Sequence, residues 1–450
     1  MEREFDVVVI GAGPAGEVVA GRLGENGLEV AIVEAELVGG ECAYWACMPS
    51  KALLRPAELS AEARRVPGLT VSGPDPVAVL KRRDEVIHNL DDSTQLPWLE
   101  ERNVTLVRGA GRLDGERRVA VGGDVLVARR AVVVATGSGA AMPPIPGLAG
   151  AKPWTNREAT TASSVPESLV VLGGGVVGVE LAQAWSSLGS RVTVVEGAPR
   201  LIGREEPFAS EQVETALREA GVDVRTGAKA VKVSRKGDVA VELENGSTAT
   251  GSELLVAVGR KPLTTDLGLE SVGLEPGASI EVGPDLRATA YDWLYAVGDV
   301  NGRSLLTHMG KYQARLAADA ILGKPAAIRS DGALSPRVIF SDPQVAAVGY
   351  TLAGAAEAGL DARAVDVGTS ANPGGSFVGR NAPGTARIVV DEGRRVIVGA
   401  TFTGTEVAES LHAATIAIVA EVPLEVLWHA VPAFPTRSEL WLRLLETYGL

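Results

Sequence analysis

At 450 residues the chain is too long for one hydrophobic core, and a working size of about 150 residues per domain points to about three units. A formal net charge of -13 argues against phosphate-backbone binding, so nucleic acid is not an expected partner, while an apolar fraction of 46% fits a globular α/β protein. Only two cysteines occur, five positions apart, which excludes a secreted disulfide scaffold and points to a cytoplasmic enzyme with one redox pair.

The first residues, Met1-Glu2-Arg3-Glu4, run directly into Phe5-Asp6-Val7-Val8-Val9-Ile10, which reads as a strand and not as a secretory leader. Gly11-Ala12-Gly13-Pro14-Ala15-Gly16 follows, then an amphipathic stretch to Gly27, a second strand at residues 30–33, and Glu34. This is a complete βαβ dinucleotide fingerprint. Gly11 permits the tight turn, Gly13 lets the backbone approach a pyrophosphate, Gly16 lets helix and strand pack closely, and Glu34 is placed to accept ribose hydroxyls. The loop with Pro14 and Ala15, the helix start and the acid form one expected cofactor site.

Gly39-Gly40-Glu41-Cys42 and Cys47-Met48-Pro49-Ser50-Lys51 come a few residues after Glu34, so Gly40, the two cysteines and Lys51 are expected close to that dinucleotide. On a regular helix, residues five apart point about 140° away from each other, so a bond between Cys42 and Cys47 requires a deformed turn, for which Pro49 supplies a reason. A thiolate near a helix N-terminus and a lysine is stabilised, which makes it a nucleophile. The plainer reading, two small core residues, does not explain why the only cysteines form this pair.

Further on, Ala135-Thr136-Gly137 ends an apolar strand, and Pro143-Pro144-Ile145-Pro146-Gly147 is a plausible linker. The fingerprint then recurs: the strand 169–172, Gly173-Gly174-Gly175-Val176-Val177-Gly178, a helical stretch to Leu188, the strand 192–195, and Glu196. Two such units mean two dinucleotides. Glu196 would repel a 2′-phosphate, which favours NADH over NADPH; Arg200 and Arg204 nearby leave NADPH open. Strands ending at Gly259 and at Gly298-Asp299 bring two more loops toward the cofactors. Residues 411–434 form the longest late apolar region, broken by Glu421, Pro423 and Glu425, so a buried helix is expected and no membrane span. The four histidines, His88, His308, His412 and His429, lack ligand spacing, and no metal is expected.

Taken together, these segments resemble the pyridine nucleotide-disulfide oxidoreductases over nearly the whole chain. The resemblance is carried by GGxCxxxxCxPSK at Gly39 to Lys51, GGGxxGxE at Gly173 to Glu180, AVGRKP at Ala257 to Pro262 and YAVGD at Tyr295 to Asp299. It implies an α/β fold with two Rossmann-like dinucleotide-binding domains and a C-terminal α+β dimerisation domain. FAD would occupy residues 1–150 and 266–330, NAD(H) or NADP(H) residues 151–265, and residues 331–450 would pair two chains into a homodimer. The isoalloxazine ring would lie between nicotinamide and disulfide, with Cys47 facing the flavin and Cys42 exchanging with a small acceptor. Lys51 would pair with Glu180 beside the flavin, and Asp299 would hold the ribityl chain.

In that family a C-terminal His-Pro-Thr-x-Ser-Glu pattern completes the partner's disulfide site. Here the run is Phe434-Pro435-Thr436-Arg437-Ser438-Glu439, so the glutamate matches and the histidine position holds Phe434. Phenylalanine cannot titrate, and the usual thiol proton acceptor is missing. His429 is a displaced base or a packing residue on equal terms. The expected function is transfer of electrons from NAD(P)H through FAD to Cys42 and Cys47 and on to a disulfide-type acceptor. Alternatives are a carboxylase like 2-ketopropyl-coenzyme M reductase/carboxylase, which also has phenylalanine at this position but histidine where Glu439 stands, and a quinone-type reductase. A flavin-based redox sensor would not need a second dinucleotide fold.

Overall fold

The uninterrupted apolar residues Val7, Val8, Val9 and Ile10 suit a strand covered on both faces, and they end β1 (Glu2–Ile10) with the three valines fully buried. β1 runs parallel to β2 (Val30–Glu34) on one side and to the strand Asp124–Val134 on the other. Val104–Arg108 extends this sheet beyond β2, Leu294–Ala296 pairs with Asp124–Val134, and Arg118–Val121 and Gly111–Leu113 complete seven strands. Helix α1 (Pro14–Glu25) opens with proline in its first turn, where the missing N–H costs nothing, and packs against the helix Thr307–Ile321. An Arg22–Asp319 ion pair at 2.8 Å links these two helices.

The computed structural model describes residues 1–380, 382 and 384–450. It divides into two compact units, the first comprising Met1–Pro49, Asp84–Ala141 and Arg260–Gly332. The second comprises Ser50–Arg83, Met142–Gly259 and Ala333–Leu450.

The second unit repeats the βαβ design. Ser168–Leu172 leads through the helix Val176–Ser187 to the parallel strand Arg191–Val195, with Asp223–Arg225 and Glu253–Val256 on the flanks. Trp185, fully buried, anchors the helix on its sheet. Beside it lies a three-stranded antiparallel sheet, Ala230–Lys236, Asp238–Leu243 and Thr248–Gly251. The C-terminal part is a five-stranded antiparallel sheet ordered Arg337–Ile339, Gln344–Gly349, Val396–Gly404, Thr385–Asp391, Ala362–Gly368. Helices Leu411–Val419 and Glu439–Tyr448 bury Leu411, Ala414, Leu440 and Leu444 in its core. The whole is an α/β protein with two dinucleotide-type folds and an α+β C-terminal part.

One expectation needs correction. Residues 411–434 do not form one buried helix: Leu411–Val419 and Leu424–Leu427 are separate, and Ile416, Val419, Val426, Val431 and Phe434 are exposed. Pro423 offers no N–H, and Glu421 takes a left-handed φ of 46°, so the first helix cannot continue. The sheet covers only one face of the segment. Among the described residues, no helix is long and apolar enough to cross a membrane.

Candidate active site

Both Gly-rich loops are shaped by close backbone approach. A Cβ on Gly11 (φ 101°) would lie 2.5 Å from the Ala135 carbonyl oxygen, and one on Gly16 would lie 1.9 Å from that of Gly11, so neither position admits a side chain. At Gly13, by contrast, a Cβ would meet nothing within 4 Å, which leaves open space at the N-terminus of α1. Gly40 closes on this loop, its own Cβ position being 2.8 Å from the Gly13 Cα. Glu34, at the end of β2, accepts the Ala12 N–H at 2.7 Å and the Glu36 N–H at 2.8 Å. Burial raises its pKa against those two bonds.

Ser138, just beyond Thr136 and Gly137, donates its hydroxyl to Asp299 at 2.5 Å, and Arg260 donates to the same Ser138 oxygen at 2.7 Å. Asp299 is pushed upward by burial, with Ser138 and Arg260 opposing. Thr136 donates to the Leu263 carbonyl at 2.9 Å. An open helix N-terminus, the Glu34 carboxylate at the end of β2 and the half-buried Asp299 carboxylate are groups that fit a dinucleotide with a pyrophosphate and polyol. FAD fits this set.

In the second unit a Cβ on Gly173 would lie 2.4 Å from the Ala257 carbonyl oxygen, and one on Gly178 would lie 1.9 Å from that of Gly173, matching Gly11 and Gly16. Gly175, before Val176 and Val177 in the first turn of the helix, is open like Gly13. Glu196 accepts the Gly174 N–H at 2.5 Å and the Ala198 N–H at 2.6 Å. Arg200 spends its donors on Glu205 and Gly203 carbonyls and the Ser210 hydroxyl, and Arg204 is exposed. Gly259 has a φ of 149° with nothing within 4 Å of its Cβ position.

Cys42 and Cys47 lie on different helices. α2 (Gly40–Tyr44) carries Cys42, and α3 (Cys47–Arg65) begins at Cys47. The deformed turn falls at Trp45, whose φ is -133°. Pro49 explains its place, because a proline ring in a continuous helix would strike the carbonyl four residues earlier, that of Trp45. Both sulfurs reach one hydroxyl: Thr307 Oγ1 is 3.2 Å from Cys42 Sγ and 3.4 Å from Cys47 Sγ. The Cys42 thiol is pushed far up, first by its hydrogen bond to Cys47, then by burial and the Cys47 charge, while Thr307 and Lys311 pull it down. Cys47 opens α3, where the helix N-terminus favours a thiolate.

Lys51 donates to Glu180 Oε2 at 2.8 Å, and the Phe340 N–H donates to Glu180 Oε1 at 2.9 Å. The Lys51 ammonium also stands 4.7 Å from the Phe340 ring centroid, a cation–π contact. Glu180 is buried and Lys51 half-buried. At the C-terminus Phe434 is 76% exposed, whereas Glu439, five residues on, is buried and accepts the Gly374 N–H at 2.9 Å. His429 is exposed.

Reading the sequence missed Thr307, Ser138, Arg260 and Phe340. Thr307 is 265 residues from Cys42 and carried no motif beyond opening a helix after the Gly298-Asp299 loop. Arg260 lay inside AVGRKP, where a partner for Asp299 was open to inference. Among the described residues no group of three or more His, Cys, Asp or Glu is arranged to hold a metal ion.

Two nucleotide loops of one design, joined in a chain to a dithiol at a helix start, define an oxidoreductase that couples a flavin-type and a nicotinamide-type dinucleotide. Residues 5–318 match the pyridine nucleotide-disulphide oxidoreductase family, and residues 335–444 match the dimerisation domain of the same family. This chain belongs to the pyridine nucleotide-disulfide oxidoreductases, FAD-dependent enzymes that use NAD(P)H. It is 35% identical over 454 residues to a dihydrolipoyl dehydrogenase of Chlorobaculum tepidum, covering 97% of this chain and 95% of the relative. A mercuric reductase of Staphylococcus aureus is 30% identical over 445 residues, covering 97% of this chain and 81% of its own length. Among solved structures, the Cu(II) complex of the HOCl-induced flavoprotein disulfide reductase RclA from Escherichia coli superposes with a TM-score of 0.88 at 26% identity, covering 99% of both chains. LpdA from Mycobacterium tuberculosis gives 0.87 at 25% identity, covering all of both chains.

Proposed function

We propose that this flavoenzyme draws its electrons from NADH, passes them through FAD to Cys42 and Cys47, and delivers them to a small disulfide-type acceptor. The observation that carries this reading is the pair of sulfurs sharing one hydroxyl, at 3.2 and 3.4 Å, with Cys47 at the start of α3. Bound FAD supplies the step from a hydride donor to a dithiol. The chain's own residues do the rest. Gly11, Gly13, Pro14, Ala15, Gly16, Glu34, Gly40, Ala135, Thr136, Gly137 and Asp299 would hold the flavin nucleotide. Gly173, Gly175, Val176, Val177, Gly178, Glu196 and Gly259 would hold the nicotinamide nucleotide.

NADH is favoured because Glu196 offers a carboxylate to a ribose diol, while Arg200 is tied to its own loop and not held for a 2′-phosphate. Lys51, fixed by Glu180, is assigned to the flavin. Residues 1–150 and 266–330 would then form the FAD domain, 151–265 the NAD domain and 331–450 the pairing domain. The dimerisation-domain match supports a homodimer, and the exposed apolar residues from Ile416 to Phe434 are the surface a second chain would cover. A dithiol kept for exchange suits the cytoplasm.

A second reading takes a thiophilic metal ion as acceptor, because mercuric reductases are among the relatives and the RclA structure is a Cu(II) complex. One experiment separates these readings. Stopped-flow reduction by NADH and by NADPH is followed by addition of oxidised lipoamide, cystine, Hg(II), Cu(II) or a quinone. NADH is expected to reduce the flavin faster, a long-wavelength band from a thiolate beside the flavin should appear, and a disulfide should discharge it. Discharge by a quinone alone, without that band, would refute the disulfide reading.

A further inference from the structure

The missing histidine leaves the dithiol without its customary proton acceptor, and the first unit holds another group at the sulfurs. We infer that the Thr307 hydroxyl is a catalytic proton shuttle between Cys42 and Cys47, generating the attacking Cys42 thiolate within one chain. The inference rests on the dithiol reading above.

A hydroxyl has one donor and two acceptor positions, so it can accept from one sulfur while donating to the other. In the structure the Thr307 O–H donates to Cys42 Sγ at 3.2 Å, and Cys47 Sγ lies 3.4 Å from the same oxygen with either atom able to donate, which is the arrangement the transfer ends in. In the two-electron-reduced enzyme the pair holds one proton and one negative charge. With the proton on Cys42, its S–H points to Oγ1 and the Thr307 O–H points to the Cys47 thiolate. Cys42 gives its proton to Oγ1 as Oγ1 gives its own to Cys47. The threonine is unchanged, the charge has moved to Cys42, and no electron has been transferred.

The Cys42 thiolate then attacks the acceptor disulfide, forming a mixed disulfide and expelling one thiolate, which takes the proton from Cys47. Cys47 attacks Cys42, re-forming the Cys42–Cys47 bond and expelling the second thiolate, which takes a proton from water. One disulfide is reduced and one dithiol oxidised.

Burial and Cys47 oppose a charge on Cys42, and the two groups that favour it are Thr307 and Lys311. Lys311 lies one helical turn beyond Thr307 on the helix Thr307–Ile321, and its charge acts on Cys42 in the anionic direction. From α1, the half-buried Glu17 also feels the Lys311 charge, and Glu34 acts on Glu17. The groups acting on Cys42 are thus Cys47, Thr307 and Lys311.

The test uses the FAD-loaded enzyme reduced by NADH. Alkylation of Cys42 by iodoacetamide is followed by mass spectrometry from pH 5 to 9, beside turnover with dithiobisnitrobenzoate. Thr307→Val, which keeps the shape and removes the hydroxyl, is expected to slow Cys42 alkylation near neutral pH by about 10-fold and move its pH profile up by about one unit. Thr307→Ser restores the hydroxyl and is expected to stay within about 3-fold of the parent. Flavin absorbance checks that each variant is loaded, and Thr307→Ala replaces the valine variant if that one does not hold FAD. An unchanged profile without the hydroxyl, or equal loss in the serine and valine variants, would overturn the shuttle. Full turnover in Cys42→Ser would overturn the dithiol reading and the shuttle with it.

Discussion

Replacing Lys51 with methionine keeps the aliphatic stem and removes the charge that faces Glu180. The Glu180 carboxylate is 4% exposed and retains only the Phe340 N–H at 2.9 Å from its two described hydrogen bonds. Stranding a buried charge costs about 3–5 kcal/mol, but Lys51 is 35% exposed, so water screens part of the pair. A lost charge-assisted hydrogen bond is worth about 1.5–3 kcal/mol, which sets the expected cost of Lys51→Met near 2 kcal/mol. Glu180→Gln keeps an oxygen for the Phe340 N–H and should cost about 1 kcal/mol. The double variant should then cost less than the sum, with a coupling of about 1.5 kcal/mol. Denaturant unfolding of the four proteins at one fixed FAD concentration measures this cycle. Strictly additive costs, or a Lys51→Met protein within about 0.5 kcal/mol of the parent, would show that the ion pair does not hold Glu180 as described.

Phe434→His should raise turnover on oxidised lipoamide by about 10- to 10²-fold, at or below the low end of what a positioned base supplies, because Thr307 already moves one proton. Steady-state kinetics check it, and a parent enzyme already as fast as the histidine variant would refute it. Cys47→Ser should keep FAD bound while losing the long-wavelength band on NADH titration; loss of the flavin itself would count against its assigned place. Glu17 is pushed up to about 7 from 4.5, chiefly by burial, so the folded state binds more protons than the unfolded one across that window. Stability should therefore be fullest below pH 4.5 and fall by up to about 3 kcal/mol as pH rises through 7. Glu17→Gln should remove that slope, and unfolding curves with parallel pH dependence in both proteins would contradict it.

How much of this was readable beforehand depended on range. Gly11 and Gly16, Gly173 and Gly178 are constrained by carbonyls of their own βαβ units or of the adjacent strand, so a short pattern of residues carries the geometry. The cysteine pair was equally plain, and Pro49 marked a deformation whose location, Trp45, only the backbone reveals. Thr307 reaches the sulfurs across 260 and 265 residues of chain, and no local pattern announces such a meeting. The apolar residues from Ile416 to Phe434 misled in the opposite way. Hydrophobicity alone does not distinguish a face turned to the chain's own core from one left for another molecule.

The break between α2 and α3 has a mechanical consequence. Were both cysteines within one continuous helix, each cycle of bond making and breaking would have to bend that helix and strain its i→i−4 ladder. Here the two sulfurs belong to separate rigid pieces joined through Trp45 and Ala46. Small torsional changes in that link can bring the sulfurs together or let them part while both helices keep their hydrogen bonds. Such a joint would act as a flexure, with the torsional change taken up at Trp45 and Ala46 and the hydrogen bonds on either side left intact.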